Sequence, residues 1–242
     1  MLFRSPKYML LKAKVVFPSL ALGLSVFIMQ ASESVVSVCF NSSLLRYGGD
    51  IAVGAMTILT SVMQFAMLPL QGLGQGAQPI ISYNYGAGNI SRVKGSFKLL
   101  LKSSICYACL LWLLVMIFPH LFAGLFTTDT ELISFTSTAL RIYMGSALLF
   151  GIQMACQMTF TSLGKAKESI TVAVMRKFVL LIPLIYIMPL IWSSNKTLAV
   201  YTAEPVADFF AVMFTAILFS IQFKKVLKKM EENKSKTENK NN

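Results

Sequence analysis

Six stretches of this chain, residues 15–45, 51–82, 93–118, 132–163, 168–192 and 198–223, are long and predominantly apolar. A helix needs about twenty such residues to cross a bilayer. Short polar or glycine-containing joints separate the runs: "RYGGD", "YGAGNISR", "PHLFAGLFTTDTE", "LGKAKE" and "WSSNKT". The composition agrees, because only 13% of residues are charged and 55% are hydrophobic, whereas a soluble domain carries about a quarter charged residues. The expectation is an all-α integral membrane protein, with residues 1–230 forming one bundle of six transmembrane helices. Several runs exceed thirty residues, about 45 Å of helix, so they must tilt, kink or project beyond the hydrocarbon. The tail, residues 231–242, is charged and low in complexity and reads as a disordered cytoplasmic segment.

Charge placement orients the bundle. With the N-terminus inside, 19 of the 22 basic residues fall on inner segments, including Arg176, Lys177 and seven tail lysines, and only Arg46, Arg141 and Lys196 fall outside. A bias of that size places both termini in the cytoplasm. The net charge of +12 is then a topology signal. Nucleic-acid binding is not expected, because basic residues interleaved with aromatics on a soluble face are absent.

Cys39, Cys106, Cys109 and Cys156 all lie in apolar stretches. Cys106 and Cys109 form a CxxC, but no second CxxC follows, so these read as small residues packing between helices. His120, the single histidine, follows Pro119 at the end of an apolar run and reads as interfacial. No cofactor or metal motif is present.

Polar residues inside a bilayer are costly and usually face a cavity or a partner. The first run carries Gln30, Glu33, Ser34, Ser37 and Asn41 at spacings that share one helical face. Glu33 reads as the mid-span carboxylate of the chain. It must be protonated, paired or wetted, which makes it the candidate for a cation-linked role. The second run repeats the pattern with Gln64, Gln71, Gln75 and Gln78, and the fourth adds Ser146, Gln153, Gln157 and Thr161. Three amide-bearing stripes argue for one shared polar interior lined by Gln30, Ser37, Asn41, Gln64, Gln71, Gln78, Gln153 and Gln157. Interhelical hydrogen bonding is the alternative for any one of them. Glu204 and Asp208, four apart at the start of the last run, read as an acidic outer mouth. No serine–histidine–acid set or phosphate loop is visible, which argues against an enzyme.

The stretch "QGLGQGAQPIISYNYGAG" (residues 71–88) ends the second run. Its glycines permit close helix approach or local unwinding, and its glutamines can satisfy freed backbone groups. Tyr83 and Tyr85 suit the headgroup level, with Arg92 and Lys94 as anchors beyond them.

"YGGDIAVGAMTI" followed by "PLQGLGQGAQPIISYNYGAGNISRVK" resembles the multidrug and toxic compound extrusion (MATE) transporters, in their bacterial multidrug-export branch. "ASESVVSVCFNSSLLRYGGD", "FTSLGKAKES", "IPLIYIMPLIW" and "AEPVADF" extend the likeness over nearly the whole chain. The resemblance implies a twelve-helix fold of two six-helix bundles around a cleft. It also implies exchange of cationic or lipophilic drugs for H+ or Na+, in the bacterial plasma membrane. This chain matches the second bundle only, so the first six-helix half is its implied partner. Glu33 falls where similar members carry a glutamate. The further carboxylate that some relatives place on the tenth helix is absent from residues 132–163. A truncated, non-transporting membrane protein, or a flippase of lipid-linked substrates, is the alternative reading.

Overall fold

Gly49 adopts φ 65°, ψ −159°, a backbone conformation that side-chain-bearing residues avoid. It breaks the helical stretch Ala13–Gly86 into two segments, α1 (residues 13–48) and α2 (residues 50–86). The computed structural model describes residues 13–241, with side chains for residues 31–235 other than Ala166 and Lys234. Gln30 therefore lies outside the described side chains. By its contacts the chain divides into two units, Met1–Val38 and Cys39–Asn242. The first is helical from Ala13, and it presents Glu33, Ser34 and Ser37 as exposed side chains.

The chain direction after α2 is set by a glycine. Gly88 takes φ 71°, with Asn89 N donating to Asn84 O at 2.9 Å and Gly88 N to Tyr85 O at 3.2 Å. That pair of bonds is a Schellman stop, which needs a left-handed residue at this position. Then follow α3 (Ile90–Ile117), the short α4 (Pro119–Gly124) and α5 (Thr130–Tyr143). Asp129 caps α5, its carboxylate accepting from Glu131 N at 2.9 Å and Leu132 N at 3.3 Å, which satisfies two donors the helix cannot. After a break at residues 144–146 and one 3₁₀ turn, α6 runs Phe150–Ser162. α5 and the segment Ala147–Ser162 meet at a bend of 44°. Gly164, at φ 70°, ends α6 with a second Schellman pair, Lys165 N to Phe160 O at 2.8 Å and Gly164 N to Thr161 O at 3.1 Å.

α7 (Ala166–Val174) passes through a π-helical stretch, Met175–Leu181, into α8 (Ile182–Ile191). A last long helix, α9, covers Lys196–Asn241. The sequence suggests disorder beyond residue 230, but the backbone there is helical. Lys- and Glu-rich sequence has good helix propensity, and the helix is tied down just before the tail. Val226, Leu227 and Met230 share a buried core with Ile81, Val93, Leu100, Ala155 and Leu163.

Close approach defines the packing. A Cβ on Gly151 would sit 2.5 Å from the Ser104 carbonyl oxygen, so α6 rests directly on the backbone of α3. A Cβ on Gly74 would sit 2.5 Å from Met158 Cγ, which brings α2 onto α6. Ser82 Oγ adds a hydrogen bond to Ser162 O at 2.8 Å. Phe97, Phe160, Phe219 and Phe223 form an aromatic stack between α3, α6 and α9, with neighbouring centroids 4.6–5.2 Å apart. The break at Gly49 is held by α9. Thr197 Oγ1 donates to Tyr47 O at 2.9 Å, and Tyr201 Oη donates to Ala52 O at 2.7 Å.

Among the described residues, every regular element is helical. Four stretches are long and apolar enough to cross a membrane, or five with the bent α5–α6 pair counted as one span. One of the four, Ala31–Gly86, has 56 residues and contains the Gly49 break. Large apolar side chains face outward, among them Phe65 (74% exposed) and Leu190 (73%), as a lipid-embedded bundle requires. Cys156 is buried and Cys109 half-buried, but Cys106 is exposed, so it does not pack between helices of this chain. His120 ties α4 to α5. Ser137 Oγ donates to Ile133 O at 2.7 Å and lies 3.0 Å from His120 Nδ1. With the hydroxyl proton committed, the imidazole N–H is the donor of that second bond.

Candidate functional site

The most concentrated chemistry of the described bundle is a charge cluster between α9, the π-helical stretch and the α5–α6 break. Glu204 and Asp208 sit four apart on one face of α9, with Pro205 between them. Both are buried, at 4% and 1% exposure. Arg176 bridges them, with Nε 2.6 Å from Asp208 Oδ1 and Nη2 2.7 Å from Glu204 Oε1. Ser146 Oγ donates to Asp208 Oδ2 at 2.9 Å, so both oxygens of Asp208 are satisfied.

Each partner comes from irregular backbone. Arg176 lies in the π-helical stretch, and such single-turn irregularities are frequent at functional sites. Ser146 lies between α5 and the 3₁₀ turn that precedes α6. Gly145 beside it has no side chain to spare, because a Cβ there would be 3.0 Å from Ile142 O and 3.9 Å from Pro205 Cβ. Tyr143, buried at the end of α5, lies within electrostatic reach of Arg176. Lys177 is buried as well.

The electrostatics explain the choice of arginine. Removing one carboxylate from water costs several kcal/mol even after relaxation. A planar guanidinium offers separate N–H groups to two carboxylates at once, which a lysine head cannot do with the same geometry. The cluster is therefore an ion-paired knot that ties α9 to the π-helical stretch and to the break before α6.

This arrangement corrects three sequence expectations. Glu204 and Asp208 are buried rather than lining an outer mouth. Lys177 is buried, and Arg176 is half-buried against the two carboxylates, so neither is a free surface charge. Glu33 does not stand alone as a mid-span carboxylate, because Asp208 lies twelve residues into α9, about 18 Å along it. The signal that could have found the cluster is present in the sequence. Two carboxylates one turn apart on one apolar run and a basic residue within another must pair with each other in hydrocarbon.

The predicted stripes fare differently. Gln64, Gln71 and Gln75 are exposed on α2, while Val62, Ala66, Leu70 and Ile81 on its other side are buried. Asn41 is exposed, and Gln78, Gln153 and Gln157 are half-buried. Gln153 Oε1 is buried without a hydrogen-bond partner. No hydrogen bond joins these amides to one another among the described residues. They do not enclose a polar interior of this chain. The amides of α2 instead form an open face, turned away from its core.

A family model described as MatE matches residues 25–187. Among curated relatives, the chain is 25% identical over 202 residues to the multidrug export protein MepA of Staphylococcus haemolyticus (strain JCSC1435), an alignment covering 83% of this chain and 43% of that one. It is 28% identical over 167 residues to MepA of Staphylococcus aureus (strain MSSA476), covering 69% of this chain and 36% of the relative. The chain thus spans less than half the length of these relatives. Of solved structures, the inward-facing conformation of a multidrug resistance MATE family transporter of the MOP superfamily superposes with a TM-score of 0.82 at 18% identity, covering 90% of this chain and 50% of that one. The structure of the MATE multidrug transporter DinF-BH gives 0.74 at 32% identity, covering 90% and 48%.

Proposed function

The chain belongs to the MatE family, and on that premise we infer that it is one half of a secondary active transporter. As such a half it would take part in exporting cationic or lipophilic drugs across the plasma membrane by antiport with H+ or Na+. The observation that carries this reading is the open amide face of α2, Gln64, Gln71 and Gln75, on a helix that also presents Phe65 and Leu68 outward. Lipid offers such amides no partners. They fit a water-filled cleft that the first six-helix half would close from the other side. Asn41, in the same unit as α2, is exposed as well. Glu33 is the residue through which this half would sense the coupling ion, because a carboxylate in a wetted cleft can exchange a cation for a proton. On this reading both termini are cytoplasmic. The Arg176–Glu204–Asp208 cluster pairs its charges internally, and its role is to hold the carrier half together.

Co-expression of this chain with the first half of the Staphylococcus haemolyticus relative tests the pairing. A cysteine at Gln71 should cross-link to the first half, and everted vesicles holding both should accumulate a cationic dye under an imposed H+ or Na+ gradient. A chain that never cross-links to the first half, yet inserts normally, would be the non-transporting membrane protein instead.

A further inference from the structure

Where α2 gives way to α3, with α9 passing beside them, the chain opens into a cleft of about 1180 Å³ whose walls carry Arg92, Lys94, Lys98 and Lys229. All four basic residues are exposed. One carboxylate approaches them, Glu231, 3.9 Å from Lys94 Nζ, with the two side chains 47% (Lys94) and 58% (Glu231) exposed. The cleft stays net positive. Its charges are gathered by the fold, since Lys94 and Lys98 are one turn apart on α3. Lys229 is brought to them by the packing of Val226, Leu227 and Met230 against Val93 and Leu100. None of these cations takes part in the buried cluster.

The cleft also sits at a definite level. Tyr85 is in its wall, and Tyr83 just before it is 77% exposed. Tyrosines at the end of an apolar span sit at the headgroup boundary. Leu99, one residue past Lys98, is 68% exposed and begins the lipid-facing apolar surface. Cations at headgroup level directly above exposed apolar side chains match a lipid with an anionic head.

We propose that this cleft holds the headgroup of an anionic phospholipid from the surrounding leaflet. Arg92, Lys98 and Lys229 meet its phosphodiester oxygens, and its acyl chains run along the surface that begins at Leu99. A basic pocket between membrane helices is suited to such a head, and four cations can balance more than one phosphate. A zwitterionic headgroup brings its own cation and leaves the cleft's charge unbalanced.

Native mass spectrometry of the full chain in detergent, titrated with dioleoyl phosphatidylglycerol, dioleoyl phosphatidylcholine or inorganic phosphate, measures occupancy. Phosphatidylglycerol should half-fill the site at a concentration at least roughly tenfold below phosphatidylcholine, with affinity falling about fivefold per basic residue removed. The Arg92→Gln/Lys98→Gln/Lys229→Gln variant should lose this preference. Arg46→Gln/Lys167→Gln/Lys196→Gln, with the same change in net charge, should keep it. Arg92→Gln alone, with its fivefold loss, serves if the triple variant does not fold. Equal retention by the cleft variant, an equal loss in the matched control, or occupancy by inorganic phosphate as readily as by lipid would each overturn the proposal.

Discussion

Arg176 and Asp208 are joined across the bundle by a 2.6 Å contact between Nε and Oδ1, although 32 residues separate them in the chain. The second oxygen of Asp208 is taken by Ser146 at 2.9 Å. One carboxylate thus reports on three helices at once, and its loss should be felt in all of them.

Arg176→Ala should destabilise the chain by about 3–5 kcal/mol, because it strands two buried carboxylates without a counter-ion. Arg176→Lys should recover only part of this, since one ammonium cannot reproduce the forked contact. Thermal unfolding in detergent measures both. Arg176→Met combined with Glu204→Gln and Asp208→Asn should be far milder than Arg176→Ala alone. A triple variant as unstable as the single one would show that the charges are not the source of the cost.

Replacing Gly49 with Ala should cost about 1–3 kcal/mol, the penalty of placing a residue with a Cβ in a positive-φ, extended-ψ conformation that is essentially glycine's alone. Space is not the issue there, because no atom lies within 4 Å of a Cβ built on Gly49. Gly48→Val should be worse for a different reason: its Cβ would fall 2.5 Å from Thr197 Cγ2. Gly48→Val paired with Thr197→Ser should regain only part of the loss, because Ala52 Cβ at 2.6 Å and the hydroxyl oxygen at 2.9 Å remain, whereas Thr197→Ser should do nothing for Gly49→Ala.

Gly151→Ala should push α6 off α3, because the new methyl would meet the Ser104 carbonyl at 2.5 Å and backbone cannot swing aside. A loss of about 1–3 kcal/mol is expected. Gly76→Ala, where nothing lies within 4 Å, should be neutral or slightly stabilising, as removing a helical glycine usually is. The pair forms an internal control in one unfolding experiment.

In vesicles containing the paired halves, Glu33→Gln should abolish gradient-driven dye accumulation while leaving insertion and cross-linking to the first half intact. Transport at the unmodified rate under both H+ and Na+ gradients would move the coupling function away from Glu33.

Orientation is open to a direct check. Lys196→Cys should react with an impermeant thiol reagent added outside cells, in a background without the native cysteines, and Lys94→Cys should not. The reversed pattern would invert the proposed topology.

Sequence alone determined that this chain is a helical membrane protein, where some of its helices stop, and which family it resembles. Those properties are local or compositional. A run of apolar residues reports its own solvent, Gly88 and Gly164 report their own left-handed turns, and Asp129 caps the helix that follows it. The polar residues of α2 were legible as a stripe for the same reason, since a helix fixes which neighbours share a face. Only the tertiary structure decided where the charges go. Arg176, Lys177, Glu204 and Asp208 look like boundary residues when each is read by its distance from the nearest polar joint. Lys177, Glu204 and Asp208 are buried and Arg176 half-buried because a π-helical stretch, a broken helix and a proline-containing helix meet there, and a lone charge would be costly without the others. The same holds for the tail and the basic cleft. Val226, Leu227 and Met230 carry α9 past residue 230 and set Lys229 beside Arg92 and Lys98, a juxtaposition of residues far apart in the chain that no local pattern encodes.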